Sequence, residues 1–167
     1  ENKKVVRYDA AIICDSCKSE CKKDSDDYDY DYDYDYDYDY EYESLDMDII
    51  WQDEVEELFA STDAQVLYVG DDSYETGSAG YTLLESLKAV QKTHKFDCHW
   101  LEYDLMWDDE ITAFEGQVSG ITHTCSTGTC DSYPAIYFIK DGAVKTALRG
   151  PVTVAEIQAA LGTIGIS

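Results

Sequence analysis

The chemistry that this sequence offers begins with its cysteines, because thiols transfer electrons, bind metals and form disulfides. Cys14 and Cys17 have the two-residue gap of a redox dithiol, but the neighbouring acids disfavour the thiolate that such chemistry needs. Together with Cys21 they supply three metal ligands, and a fourth would have to come from Cys98 or from a histidine. A third alternative, in which all four are structural, stays open beside these two.

Cys125 and Cys130 carry a more definite prediction. Four residues separate them, and a glycine among these allows the turn that a bond between them needs. We therefore expect these two residues to form a disulfide, while the pairing of the other four cysteines stays open. The even total of six cysteines favours an oxidising compartment, so we expect an extracellular or secretory protein.

A second chemical feature is the alternation of aspartate and tyrosine across residues 28–42. A period of two predicts an extended strand that places all the tyrosines on one face and all the acids on the other. The tyrosine face is the candidate contact with another subunit, formed by Tyr28, Tyr30, Tyr32, Tyr34, Tyr36, Tyr38, Tyr40 and Tyr42. The acid face is the candidate calcium site, formed by Asp29, Asp31, Asp33, Asp35, Asp37 and Asp39.

The length of this repeat indicates what it contacts. Residues 28–43 in an extended strand span roughly 54 Å, whereas a domain of about 120 residues is about 35 Å across. Because the strand overruns its own domain, we expect it to lie on a neighbouring copy, in a homo-oligomer or filament formed by strand addition. Carboxylates on one face are about 6.8 Å apart and repel by about 0.6 kcal/mol per pair in water. Bridging cations would remove that repulsion.

The net charge of −24 narrows the range of partners. Residues 1–23, a cysteine-containing segment, carry +2; the acidic repeat of residues 24–43 carries −11; residues 44–167, the predicted globular domain, carry −15. Nucleic acids and anionic membrane surfaces attract basic proteins, so neither is an expected partner. No run reaches the roughly eighteen apolar residues of a membrane span.

The elements that position these residues lie in residues 44–167, where helical and strand-like apolar patterns alternate. Asp46 or Asp48 is expected to cap a first helix that ends near Ala60, and Asp141-Gly142 predicts a hairpin turn. The other predicted elements are strands at 65–69, 96–105, 135–139 and 144–148, helices at 81–94, 107–118 and after Thr153, and a loop at 119–132. This order predicts an α/β fold with a mixed sheet and helices on both faces.

Residues 133–150, Tyr-Pro-Ala-Ile-Tyr-Phe-Ile-Lys-Asp-Gly-Ala-Val-Lys-Thr-Ala-Leu-Arg-Gly, resemble the second half of thioredoxin. The resemblance covers residues 46–163 and implies a thioredoxin-like fold with a cis peptide bond before Pro134. It also implies a Trp-Cys-x-x-Cys dithiol in the loop after the strand at 65–69. Residues 71–80, which occupy that loop, contain no cysteine. The redox activity of the family is therefore not expected of this chain.

Taken together, these features predict a non-enzymatic structural subunit, in which a redox-inactive thioredoxin-like scaffold assembles into an extracellular fibre. One alternative is a low-affinity calcium-binding protein resembling calsequestrin, which also combines thioredoxin-like domains with acidic runs. The other is a thiol oxidoreductase that uses Cys14 and Cys17. His94, His99 and His123 have no nucleophile and orienting carboxylate placed around them, so no catalytic residue is predicted. The one cofactor that the sequence indicates is calcium, through the acid face of the repeat.

Overall fold

The computed structural model describes residues 45–71, 75–128 and 130–167. The strands are β1 Asp48–Ile49, β2 Gln65–Gly70, β3 Asp97–Glu102, β4 Thr124–Cys125, β5 Ala135–Lys140 and β6 Ala143–Arg149. The helices are α1 Val55–Phe59, α2 Ala79–Gln91, α3 Asp108–Val118 and α4 Val154–Thr163. Short 3₁₀ turns, Gln52–Glu54 and Tyr103–Leu105, precede α1 and α3. The cysteine-containing segment and the acidic repeat predicted for residues 1–43 lie outside the described residues.

The strands form one mixed sheet in the order β1-β3-β2-β5-β6-β4. Both β1 and β2 are parallel to β3, while β5 is antiparallel to β2 and to β6. The central strands β2 and β5 are covered on both faces, and their uninterrupted apolar runs at 66–69 and 135–139 suit that position. β1 and β4 lie at the two edges, so each pairs with a single neighbour.

Helices cover both faces of this sheet. On one face α2 and α4 bury residues such as Leu87 and Leu161, and on the other α1 and α3 bury Val55 and Phe114 against Tyr137 of β5. All five side chains are fully buried. Each large apolar side chain removed from water in this way contributes about 1.5–3 kcal/mol. None of the described helices is long and apolar enough to cross a membrane.

Two backbone features near the C-terminal half complete the fold. The peptide bond between Tyr133 and Pro134 is cis, as predicted. The turn between β5 and β6 places Asp141 and Gly142 at φ values of 53° and 69°, the left-handed pair that a two-residue hairpin requires. The mixed sheet, the helices on both faces and this hairpin confirm the predicted thioredoxin-like α/β fold.

The prediction of a first helix capped by Asp46 or Asp48 was wrong for its first half. Asp48 and Ile49 pair with β3 in parallel, and the N–H of Ile50 donates to the carbonyl of Trp100 at 3.0 Å. A helix begins only at Val55. The apolar run at 49–51 fits a helical face and a strand equally well, and the unpaired edge of β3 makes the strand the better solution because it satisfies backbone groups.

The loop predicted at 119–132 contains one strand, β4, which lies parallel to β6. Its two residues are too few to show the alternation that identifies a strand in a sequence. Ser126 extends the contact, since its N–H donates to the carbonyl of Arg149 at 3.2 Å. The sheet therefore has a sixth strand at the edge opposite β1.

Candidate functional site

The end of β2 is the counterpart of the position where the resemblance implies a dithiol. Gly70 lies against the cis-proline, because a Cβ at this position would stand 3.3 Å from Pro134 Cβ and 2.8 Å from Cζ of Tyr68. The Tyr68 hydroxyl donates to the carbonyl of Asp71 at 2.8 Å, and the indole N–H of Trp100 donates to the carbonyl of Gly70 at 3.0 Å. Two aromatic donors thus hold the backbone at this site, and they leave no room for a side chain at Gly70.

The loop that follows offers hydroxyls and carboxylates. Its sequence at 71–80 is Asp-Asp-Ser-Tyr-Glu-Thr-Gly-Ser-Ala-Gly, of which 71 and 75–80 are described. Ser78 begins α2 as its N-cap, and its Oγ accepts a hydrogen bond from the N–H of Tyr81 at 3.1 Å. In a redox protein this helix N-terminus would stabilise a thiolate. Without a thiol the site cannot exchange disulfides.

Cys98 is the free thiol of the described region, and it lies buried on β3. Burial raises the pKa of this thiol well above its ordinary range, and the carboxylate of Asp46 raises it further. Because the thiolate is the reactive form, a buried neutral thiol is a poor nucleophile and a poor metal ligand. Cys98 therefore behaves as a small apolar side chain of the core.

Cys125 and Cys130 form a disulfide with Cα atoms 5.7 Å apart, the pair that the sequence predicted. The bond closes the segment between β4 and the cis-proline. Ser126 ties the same segment to α4, since its Oγ donates to the carboxylate of Glu156 at 2.8 Å. This disulfide therefore has a structural position at the sheet edge.

His94 and His99 each form a hydrogen bond through one ring nitrogen. A ring nitrogen of His94 lies 2.8 Å from Oγ1 of Thr93, and Nε2 of His99 lies 2.7 Å from Oε1 of Gln65. Neither histidine has a serine or cysteine nucleophile bonded to it among the described residues.

Half-buried His123 belongs to a polar cluster with buried Tyr137 and half-buried Arg149. Its Nε2 lies 3.0 Å from the Tyr137 hydroxyl, and the two rings meet edge to face at 5.3 Å. Burial lowers the pKa of His123, and the Arg149 guanidinium lowers it further. Burial raises the pKa of Tyr137 to about 12, although the guanidinium acts in the opposite direction. The pair is neutral near pH 7 and fastens the segment before β4 to the core.

The residues predicted to bind a cation or another subunit belong to residues 1–43. Tyr28–Tyr42, Asp29–Asp39 and the cysteines Cys14, Cys17 and Cys21 all lie outside the described residues. In residues 45–71, 75–128 and 130–167, no three His, Cys, Asp or Glu side chains converge in a geometry that could hold a metal ion.

An exposed apolar surface lies at the β1 edge, and the sequence analysis missed it. It is formed by Ile49, Trp51, Leu105 and Trp107, with exposed fractions of 56%, 60%, 56% and 76%. Ile49, Trp51 and Leu105 line one shallow cleft together with Met106, and Trp107 follows Met106 in the chain. We call Ile49, Trp51, Leu105 and Trp107 the tryptophan surface. Large apolar side chains that are more than half exposed, two of them tryptophans, are typical of an interaction site.

The tryptophan surface lies where parallel strands end. β1 and β3 run side by side, and each leads into a 3₁₀ turn at its carboxyl end. Because these ends lie at the same side of the sheet, residues that are more than fifty positions apart in the sequence become neighbours. Trp51 begins the turn after β1, and Trp107 begins α3.

The two exposed tryptophans occupy helix N-cap positions, where other residues are preferred. α2 and α4 begin at Ser78 and Thr153, whose side-chain oxygens accept hydrogen bonds from the helix backbone. The Trp51 and Trp107 side chains make no such bond. In each case the carboxylate of a glutamate three residues later accepts from the backbone N–H of the tryptophan at 2.7 Å. Tryptophan therefore weakens two helix starts while it exposes an indole, which indicates a role other than folding.

The stretches of chain that form the tryptophan surface are acidic. The two stretches that form it, residues 48–54 and 102–110, contain eight acids and no lysine or arginine. Among the acids, Glu102 and Glu110 line the same cleft as Trp51. An aromatic centre with an acidic rim fits a partner that is apolar and basic. The signal was present in the sequence as Trp-Gln-Asp-Glu and Trp-Asp-Asp-Glu, but the fold alone brings the two together.

No family model and no curated protein matches this chain. Among solved structures, the chain is similar to one described as a designed protein, with 16% sequence identity and a TM-score of 0.47; the match covers 71% of this chain and 96% of the other. It is also similar to thioredoxin from Aeropyrum pernix, with 16% identity and a TM-score of 0.41, covering 66% of this chain and 82% of that thioredoxin.

Proposed function

We propose that this chain is a non-enzymatic structural subunit that assembles with copies of itself into an extracellular fibre. The thioredoxin-like domain is the scaffold, and the tyrosines of residues 28–42 contact a neighbouring copy. The observation that carries this proposal is the tryptophan surface, because an exposed aromatic patch on an acidic domain marks a place for a protein partner.

The absence of thiol chemistry at the β2 end supports a scaffold role. Gly70 and Ser78 stand where a redox protein needs its reactive loop, and Cys98 is buried and neutral. The disulfide between Cys125 and Cys130 agrees with the proposed extracellular location, since such bonds persist in oxidising compartments.

Sedimentation of the full chain and of two repeat variants tests this function. Replacement of the eight tyrosines of residues 28–42 by serine removes the proposed contact and leaves every acid in place. We expect the wild type to form assemblies and the serine variant to sediment as folded monomers. As a matched control, asparagine in place of the six aspartates Asp29–Asp39 keeps the tyrosine face, and this variant should still assemble. A serine variant that assembles like the wild type would sink the proposal.

A calcium-binding role resembling calsequestrin is the second candidate, favoured by the eleven acids of residues 24–43. Calcium binding by equilibrium dialysis, measured beside the mass of the particle, separates the two functions. Many weakly bound calcium ions, with a particle mass that stays at that of one chain, would favour the second candidate.

The third alternative, redox chemistry at Cys14 and Cys17, is tested by insulin reduction with the wild type and with a Cys14→Ser and Cys17→Ser double variant.

A further inference from the structure

The position of the tryptophan surface suits the binding of an extended segment. It lies beside β1, an edge strand of two residues that pairs only with β3 in the described sheet. Strand edges accept added strands through their backbone, and nearby pockets select side chains. A standard interface between two globular faces involves about 20–30 residues on each side. Four exposed side chains at a strand edge suit a single added strand better.

Charge narrows the identity of that segment. The acidic repeat of residues 24–43 carries −11 and would be repelled by the eight acids of residues 48–54 and 102–110, of which Glu102 and Glu110 line the cleft. Residues 3–13, Lys-Lys-Val-Val-Arg-Tyr-Asp-Ala-Ala-Ile-Ile, have three bases and one acid. In an extended conformation Val6, Tyr8, Ala10 and Ile12 share one face. This segment combines an apolar face with positive charge, and both properties complement the tryptophan surface.

We propose that residues 3–13 of a second copy add along β1 and cover the tryptophan surface. This inference rests on the proposed function, for which it names a donor segment and its acceptor. Lys3, Lys4 and Arg7 lie near the acidic rim, while the apolar face contacts Trp51 and Trp107. The interaction is head to tail, so it continues from copy to copy without closing and produces a filament.

The length of the acidic repeat directs the donor segment to a different copy. The proposed extended strand of residues 28–43 spans roughly 54 Å and leaves a domain that is about 35 Å across. The repeat thus acts as the arm that presents residues 3–13 to a neighbour.

Two variants of the full chain separate donor from acceptor. Trp51→Ser with Trp107→Ser removes the acceptor and places a favourable N-cap residue at both positions, so the fold is retained. Lys3→Glu, Lys4→Glu and Arg7→Glu together reverse the donor charge. The matched controls are Val154→Ser, which changes another exposed apolar residue, and Lys18→Glu, Lys22→Glu and Lys23→Glu, which make the same charge change elsewhere.

Association is measured by sedimentation, with circular dichroism to verify the fold of each variant. We expect the acceptor variant and the donor variant each to raise the dissociation constant between copies about a hundredfold, as the loss of central tryptophans and charge pairs does in other interfaces. Both controls should assemble like the wild type. An equimolar mixture of the two defective variants should form a terminated pair of twice 18.9 kDa, because one supplies the donor and the other the acceptor.

Several outcomes would overturn this inference. If the donor variant assembles like the wild type, another partner covers the tryptophan surface. If the mixture shows no pair, the segment docks within its own chain or does not dock at all. If the tryptophan variant assembles normally while the Tyr→Ser repeat variant does not, the inference fails and the proposed function stands. A wild-type chain that is monomeric under all conditions would instead remove the proposed function itself.

Discussion

At the scale of single residues, the polar cluster around Tyr137 contains one basic group that affects the pKa of several neighbours. Arg149 is the one arginine in residues 44–167. Its guanidinium acts on His123, Tyr133 and Tyr137, which also lie together in space. Burial raises the pKa of Tyr133 well above its ordinary range and that of Tyr137 to about 12. The hydroxyls therefore stay neutral far into the alkaline range.

The raised pKa of Tyr137 predicts a loss of stability in alkali. Between pH 10 and pH 12 the unfolded chain ionises this hydroxyl while the folded chain does not, so the free energy of unfolding falls as pH rises. We expect wild type to lose about 1.4 kcal/mol more than Tyr137→Phe between pH 8 and pH 11, because phenylalanine removes the titrating group. Urea unfolding of both proteins at the two pH values measures the difference.

The same pair of proteins gives an internal check near neutral pH. At pH 8 the Tyr137→Phe variant should be less stable by about 1 kcal/mol, since it loses the hydrogen bond to His123. Equal alkaline losses in the two proteins would mean that Tyr137 ionises as readily in the folded chain as in the unfolded one.

At the scale of elements, the starts of the helices divide into two kinds. α4 has a full capping box, in which Thr153 accepts from the N–H of Glu156 and the Glu156 carboxylate accepts from the N–H of Thr153 at 2.8 Å. α3 has only half of that arrangement, because the Trp107 side chain cannot accept. Helix starts are thus best formed away from the tryptophan surface.

Replacement of Trp107 tests whether the start of α3 lacks a side-chain N-cap hydrogen bond. Trp107→Ser should raise the free energy of unfolding by about 1 kcal/mol relative to Trp107→Ala, because serine accepts a hydrogen bond from the first turn of α3 and alanine cannot. The indole is 76% exposed, so its loss removes little buried area. Thermal and urea unfolding measure the two variants under conditions where neither assembles. A serine variant no more stable than the alanine variant would contradict a vacant cap at Trp107.

Most of these elements could be predicted from the sequence because each has its own local signal. The apolar runs of β2 and β5, the Asp141-Gly142 turn and the Thr153 cap are local patterns, and the structure contains all of them. β1 and β4 were missed because two-residue strands exist only through pairing with β3 and β6. No local pattern identifies such strands.

The candidate site divides in the same way. The disulfide of Cys125 with Cys130 follows from residue types and a short spacing. The missing dithiol follows from the resemblance to thioredoxin, because residues 71–80 contain no cysteine. The tryptophan surface does not, because Trp51 and Leu105 line one cleft only after β1 and β3 pair and end at the same side of the sheet. A tertiary arrangement of this kind requires the register of the strands.

At the scale of the whole molecule, the net negative charge opposes self-association. The chain carries −24, and two copies that approach each other repel at low ionic strength. An assembly therefore requires cations, salt or complementary segments. The proposed acid face of the repeat supplies a place for divalent cations, and the positive N-terminal residues supply a complementary segment. These two sources of attraction differ in how they respond to a chelator.

Calcium removal and neutral substitution test the role of the acid face together. In the proposed strand, six aspartates on one face form five neighbouring pairs that repel by about 0.6 kcal/mol each, or roughly 3 kcal/mol in all, which is about a hundredfold in association. We expect chelation to loosen wild-type assemblies by about that factor. With asparagine at Asp29–Asp39 the repulsion among these six side chains is absent, so the variant should depend on calcium much less than the wild type. Sedimentation in calcium and in chelator measures both. If chelator leaves wild-type assemblies intact at low salt, cations do not bridge the acid face, and the complementary segment alone must overcome the charge.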